Sequence, residues 1–241
     1  MSLYTRTARS QHDPITFLKT VPLFVELSQS DLEEVSNRIT RHTYGQGVVV
    51  FHQDTPGAML YIIEEGGVRV FGVGLTGQEH TLNTFGPGEI FDELSILDGK
   101  PRSASAVTMA PSVIWMISKT DLDVLLERCF TFSRSLIHLL AERVRTAAGH
   151  VEAIIFQDVS GRLAYELLNL ANRHGKPTAR GMQINIPLKQ SDLATVVGAT
   201  RESVNKAMGF LRARNLVQVD GVKITLLDPN GLRQVIHERS R

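Results

Sequence analysis

The sequence has almost no cysteine: Cys129 stands alone among 241 residues. A single thiol excludes an internal disulfide, a cysteine-ligated iron–sulfur cluster within one chain and a structural zinc site built on cysteines. Long apolar runs are missing too, none approaching the roughly 20 residues needed to span a bilayer. The N-terminus, MSLYTRTARSQHD, lacks the apolar core of a signal peptide, so the protein is expected in the cytoplasm with no membrane partner. No HxH pair occurs, and His52, Glu64 and His80 are too scattered for metal-dependent chemistry. Histidine can also ligate haem, but His42, His52 and His80 each sit in a polar strand or turn context suited to surface or core. The expectation is a protein without catalytic residues or a metal.

Net charge is nearly absent, at +1, yet it is unevenly spread. From Ser160 to Arg241 there are 13 Lys and Arg against 6 Asp and Glu, a balance of +7, leaving −6 for the remainder. A basic last third on an acidic body suits contact with a polyanion, although ordinary fluctuation would give the same figure. A length of 241 residues allows one large domain or two ordinary ones.

Residues 16–45 read as a short helical entry, with Ser30 and Glu33 as a capping box. Between Tyr44 and Ile117 short β-rich runs alternate with turns: VVVF (48–51), MLYIIEEG (59–66), VRVFGV (68–73), HTLNTF (80–85), SASAVTM (103–109) and SVIWMI (112–117). Turn signals stand at Thr55-Pro56-Gly57, Gly66-Gly67, Thr76-Gly77 and Gly86-Pro87-Gly88. Short strands at near-regular spacing predict an antiparallel barrel or roll. After Ser118 the period lengthens, first to a short helix and then to a long one from Thr131 to about Phe156. Ile137, Leu140, Val144, Ala147, Val151 and Ile154 follow the 3-4 spacing of a two-stranded coiled-coil seam for about three heptads. The competing arrangement packs this helix on its own domain, with Leu136, Leu139, Ala148 and Ile155 widening the stripe.

Asp158-Val159-Ser160-Gly161 breaks the stripe and reads as a hinge at Asp158. A helix ending near Gly175, a short strand around Met182–Ile186, two more helices and a hairpin (Leu216–Val219, Val222–Leu226) turning at Asp220-Gly221 complete the chain. The two helices lie in "LKQSDLATVVGATRESVNKAMGFLRARNL" (188–216). The first spans Gln190 to Val197, capped by Ser191, and stops at Gly198; Thr200 caps the second. Val204, Ala207, Met208 and Leu211 would be buried, leaving Arg201, Glu202, Asn205 and Lys206 outward on the N-terminal turns. A recognition helix reads base edges from those turns: Arg can pair with guanine, Glu accepts from cytosine, and Lys meets guanine or phosphate.

A β-roll, a long helix, a hinge and a winged helix-turn-helix in that order resemble the cyclic-AMP receptor protein / fumarate-nitrate regulator superfamily of bacterial transcription factors. The match runs over roughly residues 17–226 and is most specific at FQDVSGRLAYELLNLA (156–171) and VGATRESVNKAMGFL (197–211). The fold class expected is α+β. Residues 1–130 would be a β-roll effector-binding domain with short flanking helices, 131–157 the dimerisation helix, and 158–241 a winged helix-turn-helix DNA-binding domain. The resemblance implies an effector-regulated homodimer on inverted-repeat DNA, with half-sites about one helical turn (~34 Å) apart. It makes Arg201 the guanine reader and Glu202 the cytosine partner. Lys206 stands where the receptor protein has arginine, which alters readout because lysine lacks the planar fork. It also implies contact with RNA polymerase through the loop around His174–Gly181.

In that family the segment aligned with GEIFDELSILDGKPRSASA (Gly88–Ala106) holds the ribose and cyclic phosphate of the effector. Carried over, Arg102, Ser103 and the N–H of Ala104 form the phosphate side, and Glu93 the ribose side. Two departures stand out. Asp92 replaces the glycine before the ribose-binding glutamate, adding like charge beside a bound anion. Ala147 and Ala148 align with hydroxyl residues that contact adenine, and alanine makes no hydrogen bond to a base. Three outcomes stay open: cyclic AMP or another cyclic nucleotide, another anionic effector such as cyclic di-GMP, or a vestigial pocket in a constitutive regulator with Arg102 paired to Glu93 or Asp92. No other cofactor is expected.

Overall fold

The computed structural model describes residues 13–74, 77–186 and 190–238. The segment before Asp13, Thr76 of the expected Thr76-Gly77 turn and the side chain of Ser191 lie outside the described residues. The described residues form two compact units, one of those up to Glu79 with Asn83–Arg143, the other of His80–Leu82 with those from Val144 onward.

The first unit opens with α1 (Pro14–Leu18) and α2 (Gln29–Ser36). The cap of α2 is Ser28 rather than Ser30: its Oγ accepts from the Asp31 N–H at 3.2 Å and donates to the Asp31 carboxylate at 2.7 Å. The expected helical entry also ends early, because Ile39–Tyr44 forms strand β1. Its sequence, ITRHTY, has only two large apolar side chains. What makes it a strand is pairing with a partner far along the chain, from Ile39 opposite Ile117 to Tyr44 opposite Ser112.

Next come β2 (Val49–Phe51), β3 (Met59–Glu65), β4 (Val68–Val73), β5 (Glu79–Phe85), β6 (Ile90–Phe91), α3 (Glu93–Asp98), β7 (Ser105–Thr108) and β8 (Ser112–Ser118). They make two four-stranded sheets, ordered β1-β8-β3-β6 and β2-β7-β4-β5. This is the predicted roll, with β1, β6 and α3 added. Alternation along β3 layers its core. Tyr61 and Ile63 pack with Phe51, Phe85 and Phe91. Leu60 and Ile62 face the other way, onto Leu18, Phe24, Trp115 and Phe132. Helix α4 (Lys119–Arg128) follows Ser118, where a short helix was expected, and Ser118 caps it, its Oγ accepting from Asp121 N at 3.1 Å. Helix α5 (Phe130–Phe156) follows.

The second unit contains α6 (Val159–His174), β9 (Gly175–Thr178), β10 (Gly181–Ile184), α7 (Gln190–Val197), α8 (Arg201–Ala213), β11 (Val217–Asp220), β12 (Lys223–Leu226) and α9 (Pro229–Glu238). Its sheet is ordered β11-β12-β10-β9. Residues 174–181, expected to be a loop, are mostly the β9–β10 hairpin, with Thr178 opposite Gly181. The wing turns one residue later than expected: Asp220 pairs with Lys223, so Gly221 and Val222 form the turn. Leu232 and Val235 of α9, a helix the sequence reading missed, join Leu163, Leu167, Val204 and Leu211 in this unit's core.

Candidate effector cradle and nucleic-acid interface

Arg102, the expected anion-binding residue, lies just before β7 and is only 8% exposed. Two loops hold it. The N–H of Arg102 donates to Thr55 O at 2.9 Å, and its carbonyl accepts from Asp54 N at 2.9 Å. The guanidinium stacks 4.2 Å from the centre of the Phe51 ring. One terminal nitrogen donates to Thr55 Oγ1 at 3.2 Å and Pro56 O at 2.9 Å, and the other to the Tyr61 hydroxyl at 3.4 Å. Its Nε donates to Asp92 Oδ2 at 2.6 Å. Gly57 lets the loop press onto α3, since a Cβ there would stand 2.0 Å from Ser95 Oγ.

Asp92 precedes α3 with φ +65, left-handed backbone that suits glycine. Its other oxygen, Oδ1, accepts from Ser95 Oγ at 2.7 Å. Burial pushes its carboxyl above the usual range, opposed by the hydrogen bonds from Ser95 and Arg102. Glu93 is buried as well and forms an ion pair with Arg143 of α5. Arg143 also donates to Ile90 O at 2.5 Å and lies 5.3 Å from the centre of the Phe85 ring. Ser103 is exposed and Ala104 buried. Glu89, which a cradle leaves unexplained, accepts from Gly86 N at 2.7 Å and braces the turn before β6.

The structure therefore places Glu93, Arg102, Ser103 and Ala104 in one unit but ties Glu93 and Arg102 to different partners. Phe51, Thr55, Pro56, Tyr61 and Arg143 belong to the same cluster and escaped sequence reading. Phe51 and Tyr61 carried only a strand signal and Thr55-Pro56 only a turn signal, and nothing in the sequence singles out Arg143. Glu64 accepts from Arg41 Nε at 2.8 Å and Trp115 Nε1 at 2.9 Å, a bracing role. Among the described residues no three His, Cys, Asp or Glu side chains converge as a metal site would need.

In the second unit, Gly198 ends α7 with φ +64, and Thr200 Oγ1 caps α8 by accepting from Ser203 N at 3.2 Å. Val204, Ala207, Met208 and Leu211 are buried, while Arg201, Glu202, Asn205 and Lys206 are exposed. No side-chain hydrogen bond or ion pair engages those four with another described residue. Arg212 is exposed, whereas Arg214 pairs with Glu238 of α9 at 3.0 Å. Arg162 had no sequence signal, yet it fixes the turn of the motif. From α6 it donates to Val197 O at 2.9 Å and Gly198 O at 3.5 Å, carbonyls at the end of α7, and to Gln157 O at 3.0 Å just before α6.

On α5, Ile137, Val144, Val151 and Ile154 are 64%, 69%, 57% and 60% exposed. Ala147 and Ala148 are exposed, while Leu140 is half-buried against the helix-side core of the roll. Asp158 caps α6, its Oδ1 accepting from Gly161 N at 2.9 Å. The corner around it is tied by His150 Nε2 and Glu166 Oε2 at 2.9 Å, and Gly149 lies so close to Tyr165 that a Cβ would meet its hydroxyl at 2.1 Å.

A cyclic nucleotide-binding domain model matches residues 41–129, and a Crp-like helix-turn-helix domain model matches residues 161–235. The CRP-like cAMP-activated global transcriptional regulator of Mycobacterium tuberculosis is 31% identical over 210 residues, covering 87% of this chain and 94% of that protein. The cyclic AMP receptor protein of Thermus thermophilus is 32% identical over 202 residues, covering 84% and 90%. The crystal structure of the Thermus thermophilus catabolite activator protein superposes with a TM-score of 0.52 at 30% identity, covering 90% of this chain and 99% of that one.

Proposed function

The chain belongs to the Crp-like family of effector-regulated, DNA-binding transcription regulators, and on that premise we propose that it acts in the cytoplasm as a homodimer reading inverted-repeat DNA under control of a cyclic nucleotide. One observation carries the DNA reading. The N-terminal turns of α8 present Arg201, Glu202, Asn205 and Lys206 to solvent with no described partner, on a helix anchored by four buried apolar side chains. Arg201 reads guanine, Glu202 accepts from cytosine, and Asn205 and Lys206 take a neighbouring base or phosphate. Binding should favour an inverted repeat over a scrambled duplex of equal length and fall with added salt. Equal affinity for both duplexes would remove sequence reading from the function.

The dimer reading rests on the apolar row of α5. Ile137, Val144 and Val151 recur every seven residues and are exposed in one chain, as a coiled-coil seam requires. Val144→Glu should convert the protein to a monomer in sedimentation; an unchanged mass would move the interface elsewhere. Ala147 serves the same seam.

For the effector, Arg102, Ser103 and the Ala104 N–H are assigned to the cyclic phosphate and Glu93 to the ribose. Ala147 and Ala148, which the resemblance aligns with the adenine-contacting residues, carry no side-chain group that could bond to a base. Binding shifts a two-state population, and a coupling of about 1–3 kcal/mol suffices for regulation. Asp158 is the assigned hinge, and movement there must strain the His150–Glu166 tie. The β9–β10 hairpin is the surface assigned to RNA polymerase. A second reading, a regulator that binds DNA without an effector, is favoured by the Arg102–Asp92 pair. DNA affinity unchanged by cyclic AMP, cyclic GMP and cyclic di-GMP would select it.

A further inference from the structure

We propose that Asp92 is a tethered anion that stands in for a phosphate on Arg102 and sets how weakly cyclic mononucleotides bind; this rests on the cyclic-nucleotide reading of the roll. The geometry is specific to this residue. Asp92 occupies left-handed backbone at φ +65, where glycine would sit without strain. Its side chain makes no capping bond to the N–H groups of α3; both carboxylate oxygens are engaged by side chains instead, one by Ser95 Oγ at 2.7 Å and one by Arg102 Nε at 2.6 Å. The pair is almost wholly buried, its side chains 6% and 9% exposed. The neighbouring acid, Glu93, does not compete for Arg102 because Arg143 holds it.

A cyclic phosphate brings one negative charge and needs donors of the same guanidinium. With Asp92 ionised at Nε, two anions would crowd one cation in a poorly screened site, and like charge lowers affinity. Removing the carboxylate does not free the arginine to wander. Thr55, Pro56, Tyr61 and the Phe51 ring still fix its plane. Asp92 is thus a specificity-determining residue, and replacing it leaves a preorganised, unneutralised anion site.

Calorimetric titration of the full chain with cyclic AMP and with cyclic GMP tests this in the wild type, Asp92→Gly and Asp92→Asn. Glycine suits the backbone and asparagine keeps the shape, so at least one neutral variant is expected to remain folded, as thermal unfolding will show. Each folded variant should bind at least one nucleotide about tenfold or more tighter than the wild type, as expected when one close like charge is removed. Wild-type affinity equal to that of the folded variants overturns the tethered-anion role and leaves the cyclic-nucleotide reading standing. No binding of either nucleotide by any of the three proteins overturns both.

Discussion

Arg102 and Arg201 carry the same charge in opposite circumstances. Arg102 is buried, stacked on Phe51 and paired with Asp92. Arg201 is exposed on α8 and meets no described acceptor. A guanidinium satisfied inside the fold belongs to the stability of that fold, and any ligand must compete for it. One left in water is ready for a partner and contributes little to folding. The roll is built around its arginine, and the recognition helix merely displays one.

The largest expected effect breaks this contrast at the buried end. Arg102→Met leaves Asp92 without its cation and should lower stability by about 3–5 kcal/mol in urea unfolding. Arg201→Met should stay within about 0.5 kcal/mol of the wild type. Similar losses at both positions would mean that the Arg102 pair is not structural. Next in size, Arg201→Ala should cost roughly 1–3 kcal/mol per half-site on specific DNA and much less on random duplex, measured by fluorescence anisotropy. Equal losses on the two duplexes would make Arg201 a phosphate contact only.

The smallest effect sharpens the buried end by pH. Burial raises the Asp92 carboxyl above its ordinary value of 3.8 in the folded protein. The folded chain then keeps a proton that the unfolded chain has released. This group therefore adds stability as pH falls through its folded pKa toward 3.8, and loses that contribution as pH rises. Asp92→Asn removes the titration, so the stability of the wild type relative to the variant should improve on acidification toward that value. A pH-independent difference would show that the carboxyl is not held as described.

Local signals were legible in the sequence where local chemistry decides the structure. The bounds of α7, the cap at Thr200 and the buried face of α8 follow from side-chain spacing and hydrogen bonds within a few residues. Strand β1 was not legible, because ITRHTY becomes a strand only through β8, its partners running from Ile117 opposite Ile39 to Ser112 opposite Tyr44. Helix α9 begins at proline and carries glycine at its third position, and its buried face is defined by packing in the second unit's core. In the cradle, the residue types were readable but the pairing was not. Asp92 and Glu93 are adjacent acids, and only three-dimensional placement gives one to Arg102 and the other to Arg143. Arg162 illustrates the same limit, since its acceptors are backbone carbonyls that any sequence would supply.

Trp115 is the only tryptophan in the chain, which gives the layering of β3 an optical consequence. Its indole lies in the helix-side layer, stacked on Phe17 at 5.9 Å and donating to Glu64. Across the strand pair it sits opposite Ile62, one pleat from Tyr61, whose hydroxyl touches Arg102 from the other side of the sheet. Its emission thus reports on a layer that a ligand in the cradle would not touch. A spectral change on adding nucleotide would mark a disturbance carried through the sheet, visible without any attached dye.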